Sequence, residues 1–132
     1  MTTELKIGLT GEKADKVTDH NTAISYGSGG AAVYATPAMV GLMESACLSI
    51  VDPRLPDGQA TVGISLNIRH LAATPIGMSI IAKAELVTIS GKKLTFSVQA
   101  FDDKEKIGEG THERYIIDLN NFLQKTADKS KS

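Results

Sequence analysis

A single cysteine, Cys47, occurs among the 132 residues, so the chain can form neither an intrachain disulfide nor a cysteine-based zinc cluster. Cys47 lies in an apolar segment and is expected to be a core residue rather than a nucleophile. Acidic and basic residues are nearly balanced, with a formal net charge of -1. Nucleic-acid binders and proteins that bind membranes by charge carry a strongly basic face, so neither partner is expected.

Long apolar runs and common catalytic motifs are also missing. No stretch reaches the roughly 18 apolar residues that a membrane-spanning helix needs. Residues 1–16 contain no apolar run of signal-peptide length, so a cytoplasmic location is expected. There is no phosphate-binding loop, no H-E-x-x-H metal motif and no G-x-S-x-G motif. Any hydrolytic chemistry is therefore expected to proceed without a metal.

The chain does contain enough apolar residues for a folded core, at 42% of the sequence. Its length suits one domain, predicted to span residues 1–132 with a flexible polar tail at about residues 123–132. Residues 26–32 are rich in glycine and predict a loop.

One strong helix is predicted after that loop. Thr36 can cap its N-terminus and Pro37 suits the first helical position. Pro53 and the turn at residues 55–58 end it. Apolar residues occur on nearly every face of this helix, so burial on all sides is expected.

The second half of the chain alternates apolar and polar residues, as strands do. Strands are predicted at residues 61–70, 77–90, 94–102 and 106–119, with a tight turn at Gly91-Lys92 and a weaker strand near residues 12–19. In the first of these strands, one face is expected to carry Val62, Ile64, Leu66 and Ile68. One curved antiparallel sheet wrapped around one buried helix satisfies this order, which is the α+β hotdog fold. Such a sheet leaves an edge strand open, so a homodimer is expected.

Glu44 is the one carboxylate in the apolar segment at residues 35–47, where a charge is costly unless it is paired. It either reaches solvent or a cationic side chain, or it serves as a general base or orients one.

His70 shares strand parity with Leu66 and Ile68, so it is expected on the apolar face. There it is either a core residue or, beside Glu44, an acid–base group.

Thr36 is the third candidate, because its hydroxyl can cap the helix, attack a substrate or orient water. Eight residues of helix rise about 12 Å, so Thr36 and Glu44 cannot touch on one continuous helix. The helix could begin after Thr36, the two residues could come from different protomers, or His70 could bridge them. The sequence leaves all three arrangements open.

Two further positions stand out on the predicted strands. Gly63 interrupts the alternation and predicts a bulge, or a point where a ligand reaches a backbone N–H. Arg114 and His112 share a strand face, while Glu113 points the other way. Arg114 lies either on a solvated face or against an anionic group such as a phosphate. His112 is interpreted as structural.

Three segments resemble the fluoroacetyl-CoA thioesterase family of hotdog proteins: VGLMESAC at 40–47, RHLAATPIGMSIIAKAEL at 69–86 and IGEGTHERYIIDLNNF at 107–122. The resemblance extends from about residue 33 to residue 122. It implies a dimeric acyl-CoA thioesterase that needs no cofactor. The family's catalytic threonine, glutamate and histidine fall on Thr36, Glu44 and His70, and its two substrate-binding positions fall on Gly63 and Arg114.

These positions suggest a hypothesis for the mechanism, which leaves open whether Thr36 attacks directly or positions a water. The thioester carbonyl would lie near Thr36 and the N–H of Gly63. His70, oriented by Glu44, would move the proton, and Arg114 would hold the anionic part of the substrate.

The loop before Thr36 departs from this pattern. In the fluoroacetyl-specific member of the family this loop carries phenylalanines that close over the acyl group. Residues 27–37 here read GSGGAAVYATP and contain none. A general short-chain acyl-CoA is therefore expected as substrate rather than fluoroacetyl-CoA. The alternatives are a hotdog dehydratase or hydratase, and a non-catalytic acyl-CoA binder.

Overall fold

A computed structural model describes residues 4–131 of the chain. Its elements are β1 (Thr10–Lys16), α1 (Ala23–Tyr26), α2 (Thr36–Val51), a 3₁₀ turn (Asp52–Arg54), β2 (Gln59–His70), β3 (Ser79–Ser90), β4 (Lys93–Phe101), β5 (Lys106–Asp118) and α3 (Leu119–Asp128). The four strands predicted from alternation are confirmed as β2 to β5. The weakly predicted early strand is β1.

The five strands form one antiparallel sheet in the order β1-β3-β4-β5-β2. The predicted tight turn joins β3 to β4 and places Gly91 at φ +63°, a conformation that glycine adopts without steric cost. β2 does not pair with β3, its neighbour in sequence, but crosses to β5. Within residues 4–131, β2 is therefore a sheet edge with an open side.

Helix α2 packs its apolar side against the concave face of this sheet. The core contains six residues of α2 and apolar residues of β3 and β4, including Met39, Met43, Ala46, Ile50, Leu86 and Phe96. Burying a side chain as large as Met, Ile or Phe contributes about 1.5–3 kcal/mol. The predicted burial of α2 on all sides is wrong for the single chain, because Gly41 is exposed and Leu48 retains 41% of its accessible surface. The sheet of one chain covers only one side of the helix.

The predicted start of α2 also needs correction. Ala35 is the N-cap and makes no side-chain capping bond, while Thr36 is already the first helical residue. Pro37 lies in the first turn, where its missing N–H costs nothing. The hydroxyl of Thr36 is therefore available for contacts outside the helix.

A bulge between Gly63 and Ser65 shifts the register of β2 against β5. Gly63 pairs with Arg114 and Leu66 pairs with His112, two residues on one face of β5. Gly63 and Leu66 consequently face the same side of the sheet although three positions separate them. This confirms the bulge predicted at Gly63. It corrects the prediction that Val62 shares a face with Leu66 and Ile68.

The C-terminal segment forms helix α3, and the flexibility of the tail stays a prediction. Asp118 caps α3 by accepting a hydrogen bond from the backbone N–H of Asn121, and the helix continues to Asp128. The predicted flexible tail began at about residue 123; its last residue, Ser132, lies outside the described residues. Among the described residues, no helix is long and apolar enough to cross a membrane.

Candidate active site

Thr36 and His70 meet where the N-terminus of α2 approaches the C-terminal end of β2. The Thr36 hydroxyl oxygen lies 2.7 Å from Nδ1 of His70. The two side chains line a cleft of about 470 Å³ between the loop residues Ser28 and Val33 and the segment that follows β2. A hydroxyl in direct contact with an imidazole in an open cleft is the arrangement that nucleophile activation needs.

The direction of the hydrogen bond between the Thr36 hydroxyl and Nδ1 decides which nitrogen of the His70 ring carries the proton. Burial lowers the pKa of His70, partly opposed by the backbone of Ala72. A neutral ring that accepts the Thr36 hydroxyl proton at Nδ1 carries its own proton on Nε2. Nε2 is buried, and within residues 4–131 it has no hydrogen-bond partner. An unpaired buried N–H costs about 1–3 kcal/mol. A carboxylate placed near Nε2 would remove this cost by accepting its hydrogen bond.

Glu44 is not that acceptor within one chain. Its Oε2 lies 4.0 Å from Nε2 of His112 and 4.0 Å from Nη1 of Arg114, and its side chain is 37% exposed. Among the described residues, no hydrogen bond or ion pair joins Glu44 to His70. The expected pairing of Glu44 with His70 is therefore absent from the single chain.

Arg114 is buried, with 6% of its surface exposed, so the solvated-face alternative is wrong. Its Nε donates to the Thr61 hydroxyl (2.8 Å) and its Nη2 to the Thr61 carbonyl (2.9 Å). Its Nη1 lies 3.1 Å from Nε2 of His112. The anion that Arg114 faces in this chain is Glu44, and direct contact with a substrate stays a prediction.

Gly63 lies beside Glu44 rather than beside Thr36. A Cβ added at Gly63 would lie 3.1 Å from Oε2 of Glu44 and 3.1 Å from Cε1 of His112. The absence of a side chain at Gly63 is what lets the carboxylate approach the backbone of β2.

The five predicted residues thus form two groups along β2. Thr36 and His70 lie at its C-terminal end, and Gly63, Glu44 and Arg114 lie nearer its start. His70 lies seven positions after Gly63 along β2, which corresponds to about 23 Å. Each group holds part of the predicted chemistry, and neither holds all of it.

Sequence reasoning missed a chain of buried polar contacts behind Glu44. His112 contacts Arg114, Arg114 contacts Thr61, and the Thr61 hydroxyl donates to Oδ1 of Asp52 at 2.6 Å. The shared strand face of His112 and Arg114 was the available signal.

Cys47 is fully buried nearby and burial raises the pKa of its thiol to about 12, which confirms it as a core residue. Within residues 4–131, no cluster of three or more His, Cys, Asp or Glu side chains is suited to hold a metal ion.

Comparisons with known proteins agree on one family. A family model described as fluoroacetyl-CoA-specific thioesterase matches residues 17–120. The fluoroacetyl-CoA thioesterase of Streptantibioticus cattleyicolor is 42% identical over 98 residues, which are 74% of this chain and 70% of that protein.

Solved structures show the same relationship. A structure of the fluoroacetyl-CoA thioesterase FlK matches with a TM-score of 0.91 at 34% identity, covering 97% of this chain and 99% of that chain. A Thermus thermophilus hypothetical protein described as a thioesterase superfamily member matches with a TM-score of 0.90 at 25% identity, covering 97% of this chain and 95% of that chain.

Proposed function

The chain belongs to the fluoroacetyl-CoA-specific thioesterase family, and we propose that it hydrolyses short acyl-CoA thioesters at a site shared by two protomers. The family, the hotdog fold and thioester hydrolysis agree with the predictions made from the sequence. Hydrolysis is accordingly favoured over the hydratase and binding-protein alternatives. A cytoplasmic location stays a prediction.

The 2.7 Å contact between the Thr36 hydroxyl and Nδ1 of His70 carries this proposal. Neutral His70 accepts a proton from the Thr36 hydroxyl, or from a water that Thr36 orients, as the oxygen attacks the thioester carbonyl. The C–S bond then breaks and the proton passes from His70 to the departing CoA thiolate. Attack by Thr36 leaves an acyl-enzyme ester that water hydrolyses, whereas attack by water gives the carboxylic acid directly.

The orphaned Nε2–H of His70 and the open edge of β2 support a homodimer. β2 exposes 51% of Ile64 and 47% of Leu66, which another sheet edge can cover. Suppose two copies of β2 pair antiparallel about a centre between Leu66 and Asn67. Gly63 and His70 lie at equal distances on either side of that centre. In an antiparallel pair of identical strands, His70 of one protomer therefore lies beside Gly63 of the partner subunit.

This pairing unites the two groups of residues. Glu44 of the partner subunit, which lies beside Gly63 in its own chain, would then be the acceptor for Nε2–H and would stabilise the imidazolium formed during the reaction. The N–H of Gly63 would come from the same protomer as Glu44 and would stabilise the developing oxyanion. Of the three arrangements that the sequence left open, this one combines two: Thr36 and Glu44 come from different protomers, and His70 bridges them.

The acyl group is proposed to be short but not restricted to fluoroacetyl. Structures of FlK include a threonine-to-serine variant in complex with acetyl-CoA. In this chain the loop over the cleft carries no phenylalanine. Tyr34, the nearest aromatic residue, is 1% exposed and donates its hydroxyl to Oδ2 of Asp15 at 2.9 Å, so it cannot close over a substrate.

Release of free thiol from a panel of acyl-CoAs tests the proposal. The panel runs from acetyl- and fluoroacetyl-CoA to long saturated chains, which cannot be hydrated. We expect Thr36→Val and His70→Gln to lower kcat about 100-fold or more, since each removes one partner of the proton transfer. The exposed His20 provides a matched histidine control, and His20→Gln should retain wild-type rates. Acyl-CoA binding without thiol release by the wild type would overturn hydrolysis in favour of a binding protein.

A further inference from the structure

The ring of His112 is buried between β2, β4 and helix α2, and its hydrogen bonds define its protonation state. Nδ1 lies 2.9 Å from the carbonyl oxygen of Ser65. A carbonyl can only accept, so Nδ1 carries a proton. Nε2 lies 3.1 Å from Nη1 of Arg114, which can only donate, so Nε2 is the acceptor. His112 is therefore a neutral imidazole with its proton on Nδ1.

This neutral ring completes the set of contacts that orients Arg114. Thr61 holds one side of the guanidinium through its hydroxyl and carbonyl oxygens, and Asp52 in turn holds the Thr61 hydroxyl. His112 holds the opposite side, at Nη1. The same Nη1 lies 4.0 Å from Oε2 of Glu44. Thr61 and His112 together thus determine where the guanidinium charge lies relative to the carboxylate.

We propose that neutral His112 is a positioning residue for hydrolysis: it holds Arg114 so that the guanidinium keeps Glu44 directed at the backbone of β2 near Gly63. The inference rests on the proposed function, in which Glu44 serves His70 of the partner subunit. It gives a task in the reaction to a histidine that the sequence analysis treated as structural.

Protonation of His112 would disrupt this arrangement. Burial lowers its pKa, the Ser65 carbonyl raises it, Arg114 lowers it, and Glu44 and Glu113 raise it. The Phe96 ring stacks on the His112 ring, with 6.3 Å between centroids, and the buried Cys47 thiol lies near Glu44 and Arg114. A proton on Nε2 would remove the acceptor for Arg114, add a second positive charge and draw Glu44 towards His112 instead. The neutral form is therefore the active one, and acid should inactivate through His112 as well as through His70.

The pH dependence of thiol release separates this role from a structural one. Below both pKa values, two inactivating protonations give log(kcat/KM) a limiting slope of about 2 against pH in the wild type. His112→Gln keeps an acceptor for Arg114 but cannot titrate, so most of kcat at pH 8 should remain and the acid slope should fall to about 1. His112→Leu removes the acceptor, and kcat should fall about 10- to 100-fold with KM changed less than about twofold. His20→Gln should keep the slope of 2.

Thermal unfolding of each variant shows whether it is folded at the assay temperature. If His112→Leu does not fold, the acid slope of log(kcat/KM) measured for His112→Gln still tests the positioning role of His112. An unchanged slope in His112→Gln, or an unchanged kcat in folded His112→Leu, overturns the inference while leaving thioester hydrolysis intact. A wild type that releases no thiol from any acyl-CoA overturns both.

Discussion

Subunit complementation directly tests a site built from two protomers. Thr36 and Glu44 are eight residues apart on α2, which places them about 12 Å apart along the helix. Gly63 and His70 are about 23 Å apart along β2. Two inactive variants, Thr36→Val and Glu44→Gln, therefore damage different ends of each protomer. In a heterodimer of the two, one site carries both substitutions and the other site carries neither.

The expected recovery follows from counting sites. Random assortment of equal amounts gives half heterodimers, each with one intact site of two, so about one quarter of wild-type activity should return. The two variants are given different affinity tags and co-expressed, and heterodimers are purified through both tags. Purified heterodimers should show about half the wild-type kcat per dimer with an unchanged KM, because one of their two sites is wild type.

A matched pair of variants provides the control. Thr36→Val and His70→Gln lie in the same group, so a heterodimer of these two has one substitution in each site and should stay inactive. Doubly tagged heterodimers of Thr36→Val and Glu44→Gln that are no more active than their parents would refute the shared site. Recovery in both pairs would show that Thr36 and His70 of one protomer do not act in the same site, so the assignment of residues to groups would be wrong.

Three further predictions follow from the same geometry. In Gly63→Ala, the new Cβ at 3.1 Å from Oε2 of Glu44 should displace the carboxylate by a few tenths of an ångström and lower kcat about 10-fold, with the melting temperature nearly unchanged. In Glu44→Gln, NMR titration should place the pKa of His70 below its wild-type value and below 6.5, since burial then lowers the pKa and only the backbone of Ala72 raises it. In Gly108→Ala, a Cβ at 2.5 Å from Sδ of Met39 should overpack the core and cost about 1–3 kcal/mol in the free energy of unfolding.

Each of these has a contrary outcome. Gly41→Ala, where a Cβ meets nothing within 4 Å, is the control for both glycine variants and should not destabilise the chain. Wild-type kcat in Gly63→Ala would mean that Glu44 has no role in hydrolysis. An unchanged pKa of His70 in Glu44→Gln would mean that the carboxylate does not face the imidazole in the dimer. An unfolding free energy of Gly108→Ala equal to that of wild type would show that Met39 can move without cost.

Much of the fold could be predicted because local patterns and tertiary packing agree. The apolar residues of α2 and the alternation along β3 and β4 each match the burial that the structure shows. The pairing of β2 with β5 could not be read from the pattern, since alternation does not identify a strand's neighbour. Likewise, the apolar helix α2 predicted burial on all sides, but one sheet covers only one side of it.

The candidate site was predictable in its residue types but not in its contacts. Thr36, His70 and Glu44 stood out because each places a reactive group in apolar surroundings. The contacts of Glu44 depend on the bulge at Gly63 and on the guanidinium of Arg114. That guanidinium is held by Thr61, which lies 53 positions earlier in the chain. Such contacts arise from tertiary geometry, and no spacing along the chain encodes them.

The arrangement of one helix explains why a dimer suits this chemistry. α2 carries the hydroxyl at its first residue and the carboxylate two turns later, and a straight helix cannot bring them together. A bend in α2 would break the packing of Met39 and Met43 against the sheet. A second copy of the chain supplies the missing carboxylate without bending the helix. Dimerisation would thus satisfy the open edge of β2 and the unpaired Nε2–H of His70 through one contact, so assembly and activity should be lost together.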